Sequence, residues 1–249
     1  MRSFDRSRTR GFTLVELAVV VAVIALLLGS LLVPLTTQVE QRNTTAAQKQ
    51  LDEVREALIG FALVNGRLPR PALSALTGTE KTDCMAAADP VLACTGYLPW
   101  TALGVSKTDA WGKMLRYSVV PEFASNTKFA FSMPPLVAPG YKQVRTRDQA
   151  GNEQPLAENL LAVVLSYGGR NFGTTADGQT IANDSTVNAD EGENDSRFSC
   201  AAAANCTNFF SRTQSASKDA LVGGDFDDIV VWVPKTILFS RMVQAGQLP

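Results

Sequence analysis

Between Phe12 and Leu35 the chain reads FTLVELAVVVAVIALLLGSLLVPL, an apolar run interrupted by one charge, Glu16. Wound as a helix at about 1.5 Å per residue, the run extends roughly 36 Å, enough to cross the hydrocarbon core of a bilayer. A buried helix of a water-soluble domain is the other reading, and few domains supply an apolar surround of that length. The run therefore predicts a membrane-spanning first half of a helix, and every later element has to be placed with respect to it.

Ahead of the run lies MRSFDRSRTRG, with Arg2, Arg6, Arg8 and Arg10 against Asp5. A short basic end stays on the cytoplasmic side, so the run should be inserted in the inner membrane as a single pass, with the rest of the chain exported to the periplasm. An ordinary secretory signal is cut after its apolar region, at a small-x-small site. Here the small residue stands on the other side of the run: Gly11 immediately precedes Phe12.

The stretch Gly11-Phe12-Thr13-Leu14-Val15-Glu16, behind a basic leader and ahead of a long apolar helix, resembles the processing site of type IV pilins and type II secretion pseudopilins. The resemblance covers about residues 1–40. It implies a prepilin peptidase that cuts between Gly11 and Phe12 and methylates the new amino terminus of Phe12. It also implies that Glu16 pairs with the α-amine of a neighbouring subunit during assembly. On physical grounds, a carboxylate in an apolar helix is costly and needs a partner; snorkelling to lipid headgroups is the other reading. The implied partners are the peptidase, other pilin or pseudopilin subunits, an inner-membrane assembly platform, and membrane lipid before assembly.

Beyond Leu35 the chain turns polar while the helical period continues. Ala47, Leu51, Val54, Leu58 and Phe61 fall at spacings of 4, 3, 4 and 3, one narrow apolar stripe, with Asp52, Glu53, Arg55 and Glu56 opposite. Gly66 supplies a stop, followed by Pro69 and Pro71. A helix from Phe12 to about Asn65 would run roughly 80 Å, loosened or kinked at Pro34. The expected division is a leader at 1–11, a membrane and assembly helix at 12–35, an amphipathic continuation at 36–66 and an exported globular domain at 67–249.

In that domain Pro and Gly punctuate β-type runs at Leu115–Val120, Lys128–Met133, Leu160–Tyr167 and Ile229–Val233, and Lys235–Ala245 reads as a short helix ended by Gly246. One long helix followed by strands predicts an α+β fold, the helix packed on an antiparallel sheet. Gly96-Tyr97-Leu98-Pro99-Trp100, Asp109-Ala110-Trp111-Gly112 and Asp227-Asp228-Ile229-Val230-Val231-Trp232 resemble patterns of larger prepilin-like proteins, their aromatics read as core. Residues 171–221 show no clear period and are expected to form a surface excursion or to hide short elements.

The four cysteines, Cys84, Cys94, Cys200 and Cys206, allow three pairings. In an exported domain disulfides are expected, and Cys84–Cys94 with Cys200–Cys206 is preferred because each closes a short loop. Structural zinc lacks its usual C-x-x-C knuckle. Between Asp177 and Asp228, acidic residues outnumber Arg197, Arg212 and Lys218, and oxygen ligands on a loop suit calcium. The candidates are Asp190, Glu191, Glu193, Asp195, Asp225, Asp227 and Asp228, against the alternative of a solvated acidic loop.

The sequence of 249 residues contains no His and carries a formal net charge of −1. Ser-His-Asp triads, Cys-His pairs and His-ligated zinc are thereby excluded, and no G-x-S-x-G, Walker A or G-x-G-x-x-G appears. Near-neutral charge without a basic stripe gives no nucleic-acid footprint. The expectation is a structural, non-enzymatic subunit of a type IV pilus or type II secretion pseudopilus, needing no cofactor beyond the calcium possibility. For a chain of about 238 residues after trimming, the resemblance to pilins implies a minor rather than a main filament subunit, by analogy with the size of that family's main subunits. A membrane-anchored exported binding or adhesin module is the alternative.

Overall fold

A computed structural model describes residues 12–85, 87–125, 141–198, 206–216 and 223–247, with the side chains of 28–35 and 197 set aside. Helix α1 runs from Leu14 to Asn65, and its backbone stays helical through Pro34. The chain divides into two compact units, Met1–Arg42 and Asn43–Pro249, and the boundary falls inside α1. In the first unit α1 is the described element. The second begins with the last turns of α1 and contains the sheet, so residues 43–65 belong to the globular unit.

Those turns fold as the stripe requires. Ala47, Leu51, Val54, Leu58, Ile59 and Ala62 are all buried. Phe61 is half-buried instead, with the Arg67 guanidinium 5.3 Å above its ring. A 3.6-residue period rotates the stripe slowly, and by the fourth turn its centre has passed to Ala62. Gly66 ends the helix at φ 67°, its N–H donating to Ala62 O at 2.8 Å.

The remaining elements are α2 (Pro90–Ala93), β1 (Thr95–Tyr97), α3 (Trp100–Leu103), β2 (Arg116–Val119), a 3-10 turn (Pro121–Ala124), β3 (Lys142–Arg147), β4 (Glu153–Ser166), α4 (Ala189–Phe198), β5 (Asn208–Phe210), β6 (Ile229–Pro234) and α5 (Lys235–Gln244). The sheet order is β1-β2-β4-β3-β5, with β6 also paired to β4. Strand pairs are antiparallel except β3 with β5, which run parallel, so the α+β arrangement holds a mixed sheet rather than a purely antiparallel one. The parallel pair arises because the chain visits α4 between β4 and β5 and returns to the far edge of β3.

Strand β4 organises the core. Its second half, Leu160–Ser166, is buried on both faces and reads as the continuous apolar run such burial demands. Leu161, Ala162 and Val164 pack with Leu51, Val54 and Leu58 of α1 and Leu238 and Met242 of α5. Leu160, Val163, Leu165 and the following Tyr167 pack with Val144, Phe198, Phe209 and Val230. Helix α5 closes with Gly246 N donating to Val243 O and Gln247 N to Met242 O, a Schellman ending at a glycine of φ 68°.

Cys84 and Cys94 form a disulfide with Cα atoms 5.2 Å apart, tying the segment after Gly78 to the start of β1. Cys206 is buried and disulfide-bonded, while Cys200 lies outside the described residues, as do Lys128–Met133. Replacing both Cys84 and Cys94 with Ser should lower unfolding stability by about 2–3 kcal/mol, the loop-closure entropy of a ten-residue separation. A urea titration of the full chain in detergent measures it, and an unchanged midpoint would mean that the bond adds nothing to the fold.

Candidate functional site

The first candidate site is the amino-terminal end of α1. Thr13 caps the helix: its Oγ1 accepts the Glu16 N–H at 3.2 Å, and Glu16 Oε2 accepts the Thr13 N–H at 2.9 Å and its hydroxyl at 2.9 Å. This reciprocal arrangement is what T-x-x-E produces at a helix start, where backbone donors have no intrahelical partner. Glu16 is thus held at the helix end by its own chain. Gly11 lies outside the described residues.

Around this end the helix is apolar on every side and uncovered. Phe12 is 82% exposed and Leu14 85%, and Val15, Leu17, Val19, Val20, Val21, Val23, Ile24, Leu26 and Leu27 are exposed too. Among the described residues no helix is long and apolar enough to cross a membrane. The described side chains of the run stop at Leu27, and 28–35 complete it in sequence. Among the described residues, this part of the helix leaves its apolar side chains exposed along its length.

The second candidate site is the acidic segment in the globular unit. Of the seven calcium candidates the structure brings together three: carboxylate oxygens of Glu191, Asp227 and Asp228 lie within 4.8 Å of one another, all buried. Helix α4 delivers Glu191, and the run into β6 delivers the other two. Glu191 Oε1 accepts the Asp227 N–H at 2.7 Å, and its Oε2 accepts the side-chain amides of Asn188 and Asn171 at 2.8 Å each. Asp228 Oδ2 accepts from Asn194 at 2.7 Å. Burial drives the Glu191 carboxyl up to about 7 and raises Asp228 well above the usual carboxylate range, each reinforced by the other acids.

The other four candidates have different work. Asp190 lies between two guanidinium groups, 2.7 Å from Arg147 and 2.8 Å from Arg212. Asp195 accepts the Tyr167 hydroxyl at 2.9 Å, and Asp225 accepts from Ser185 at 2.7 Å. Glu193 is on α4, half-buried. Near this cluster a cleft of about 530 Å³ is lined by Lys113, Asn171, Asp184, Ser185 and Asp225, among others.

Asp109 explains the D-A-W-G pattern in physical terms. Its Oδ1 accepts the Trp111 and Lys113 N–H groups at 2.9 Å each, and its Oδ2 accepts the Ser166 hydroxyl at 2.6 Å. The aspartate closes a turn completed by Gly112 at φ 80° and ties it to the end of β4. Two buried lysines, Lys113 and Lys142, were not legible in advance, because nothing in a lone Lys marks it as interior. Lys113 Nζ donates to Arg170 O and Asn171 O. Lys142 Nζ donates to Cys206 O at 3.0 Å.

Compared with known proteins, residues 6–32 match a family model described as the prokaryotic N-terminal methylation motif. No curated protein and no solved structure matches the chain.

Burial pushes the Lys142 ammonium down to about 7, against the opposing pull of Glu122 and Asp89. Its unfolded value is near 10.4, so the unfolded chain binds more protons between about pH 7 and pH 10, and stability must rise with pH across that window. The unfolding free energy from urea titrations of the wild type should therefore climb from pH 7 upward by about a few kcal/mol at most, and Lys142→Met should flatten the climb. An identical pH profile in the variant would show that Lys142 is not the group titrating.

Proposed function

We propose that this chain, a type IV pilin-like or pseudopilin subunit by its N-terminal methylation motif, is a minor subunit of a type IV pilus or type II secretion pseudopilus. The motif implies processing by prepilin peptidase and assembly with other pilin subunits. In this reading the precursor spans the inner membrane once, basic end cytoplasmic and globular unit periplasmic. The peptidase cuts between Gly11 and Phe12, methylates Phe12, and the trimmed chain passes through the assembly platform into a filament. The role is structural, and the chemistry on the chain belongs to the peptidase.

The observation that carries this reading is the uncovered apolar surface of α1 from Phe12 to Leu27, with one carboxylate at its head. Lipid covers that surface before assembly and neighbouring helices cover it afterwards, each without cost to the helix. Glu16 fits both stages. Its hydrogen bonds to Thr13 satisfy it while the chain is alone. Carboxylates accept several hydrogen bonds, so a neighbour's Phe12 amine can add to this set without displacing it. In a low-dielectric surround that ion pair aligns one subunit with the next.

Gly11→Val should leave only the longer precursor on immunoblots, because the peptidase needs a residue without a side chain beside the scissile bond. Normal trimming of that variant would count heavily against the reading. Glu16→Ala should be inserted and cleaved as wild type, since losing a charge favours insertion. Its recovery in sheared filaments should fall at least about tenfold, the loss expected of a charge pair worth 1.4 kcal/mol or more. Assembly at the wild-type level would mean that Glu16 pairs with nothing beyond its own chain.

A further inference from the structure

Ser215 and Phe226 exchange both backbone hydrogen bonds, at 2.9 and 2.8 Å, as residues do at the start of an antiparallel ladder. Carried on in that register, the ladder would pair Thr213 with Asp228 and Ser211 with Val230. It stops after the one bridge. Ser211 N–H donates instead to Arg145 O at 2.8 Å, continuing the pairing of β5 with β3, while the chain from Ile229 onward joins β4. Leu160 pairs with Lys142 of β3 and with Pro234 of β6, so β3 and β6 flank β4 on opposite sides and draw the two chains apart. A cleft of about 510 Å³ lies where they part, lined by residues 211–214, residues 228–231, and Gln48 and Asp52 of α1.

One wall of the cleft is a bare strand edge. Val120 N–H donates to Leu161 O, which sets the alternation along β4: Leu161, Val163 and Leu165 turn their backbone groups to β2, and Ala162, Val164 and Ser166 turn theirs to β6. Their partners Val233, Val231 and Ile229 are thereby used, and the N–H and C=O groups of Val230 and Trp232 point outward. Among the described residues these groups have no partner, and neither has the backbone of Thr213 across the cleft. Elsewhere the edges of the sheet are blunted. Asn194 Oδ1 accepts the Phe210 N–H at 2.7 Å and its amide donates to Phe210 O at 3.0 Å, capping β5. Tyr97 O on β1 accepts the Ala72 N–H at 2.9 Å. The exposed first half of β4 carries Pro155 between Glu153 and Glu158. Devices of this kind guard a sheet against strand addition, so an edge left open inside a cleft marks the place where a strand is accepted.

We propose that the cleft is a strand-addition site that takes an extended, uncharged segment of another protein. The segment pairs with the outward groups of Val230 and Trp232 and meets residues 211–214 on its other side, filling the gap that the parted ladder leaves. Its side chains alternate between two faces. One face continues that of Ile229 and Val231 on the α1 side of the sheet, and the other continues that of Val230 and Trp232, so apolar and β-branched residues suit it. Charge complementarity sets the rest. Asp52 is paired with Arg55 at 3.1 Å, Arg212 with Asp190 at 2.8 Å, and Asp228 accepts from Asn194 at 2.7 Å. Every charged residue of the walls is thus already matched, and a charged segment would enter without a counter-charge.

Fluorescence anisotropy of a labelled octapeptide of alternating threonine and valine, titrated with the full chain in detergent, tests this. The peptide should bind saturably. Methylating the backbone nitrogens of its two central residues removes a donor from each edge of the peptide and should weaken binding at least about fivefold. Lysine or aspartate at those two positions should weaken it as well. On the protein, Val230→Pro deletes an outward N–H that β4 does not use, a place where an edge strand tolerates proline. That variant should keep its near-UV circular dichroism and bind the parent peptide at least about fivefold more weakly. If it fails to fold, the comparison of parent and methylated peptides on wild type decides. The proposal is overturned by a parent peptide that shows no saturable binding, by a methylated peptide that binds as the parent does, by a folded Val230→Pro chain that binds as wild type does, or by a charged peptide that binds tighter than the parent.

Discussion

Strand β4 needs cover on both faces, and the globular unit is arranged around that need. A strand of Leu, Ala and Val with no polar alternation has no solvent face to offer, so two separate layers must close over it. The last turns of α1 with α5 supply one layer; Phe198 of α4 and Phe209 of β5 supply the other. The first layer comes from a regular helical stripe. The second is assembled from residues far apart in sequence, carried by a segment rich in Asn, Asp, Ser and Gly.

That second layer explains the acidic character of the segment. With few apolar side chains available, it is fastened by buried polar pairs. Asp190 lies between Arg147 and Arg212; Asn194 reaches both Phe210 and Asp228; Glu191 accepts from Asn171, Asn188 and the backbone of Asp227. Buried polar groups of this kind add little net stability, but leaving any one unpaired is expensive, so together they fix a single arrangement. Asp227 shows how tightly the packing constrains them: its Oδ1 is buried with no hydrogen-bond partner among the described residues.

The two units place opposite demands on their apolar residues. Residues 43–65 of α1 bury one stripe and expose a charged face, which one sheet satisfies. The described turns before Leu27 are apolar all round, and no single sheet can cover them. One helix therefore carries two arrangements of apolar side chains, a stripe buried within the globular unit and an exposed surface before Leu27.

Periodicity and composition made much of this legible. The α1 stripe, Gly66 as its stop, the buried run at 160–167, the strand at 229–233 and the closing helix with Gly246 all follow from local rules, because the side-chain pattern itself creates the face to be buried. The Cys84–Cys94 bond follows from a short spacing, and the N-terminal methylation motif from the stretch that contains G-F-T-L-V-E. Tertiary structure decided the rest. Helix α4 carries ADEGENDSRF, whose polar surface gives no apolar period, and it exists because Phe198, Asp190, Glu191 and Asn194 find partners elsewhere. The parallel pairing of β5 with β3 depends on where the chain returns. Which acids converge, and that Lys113 and Lys142 are interior, depends on contacts between residues tens of positions apart. A lone charge has no period, so its place is set only by the partners that folding brings to it.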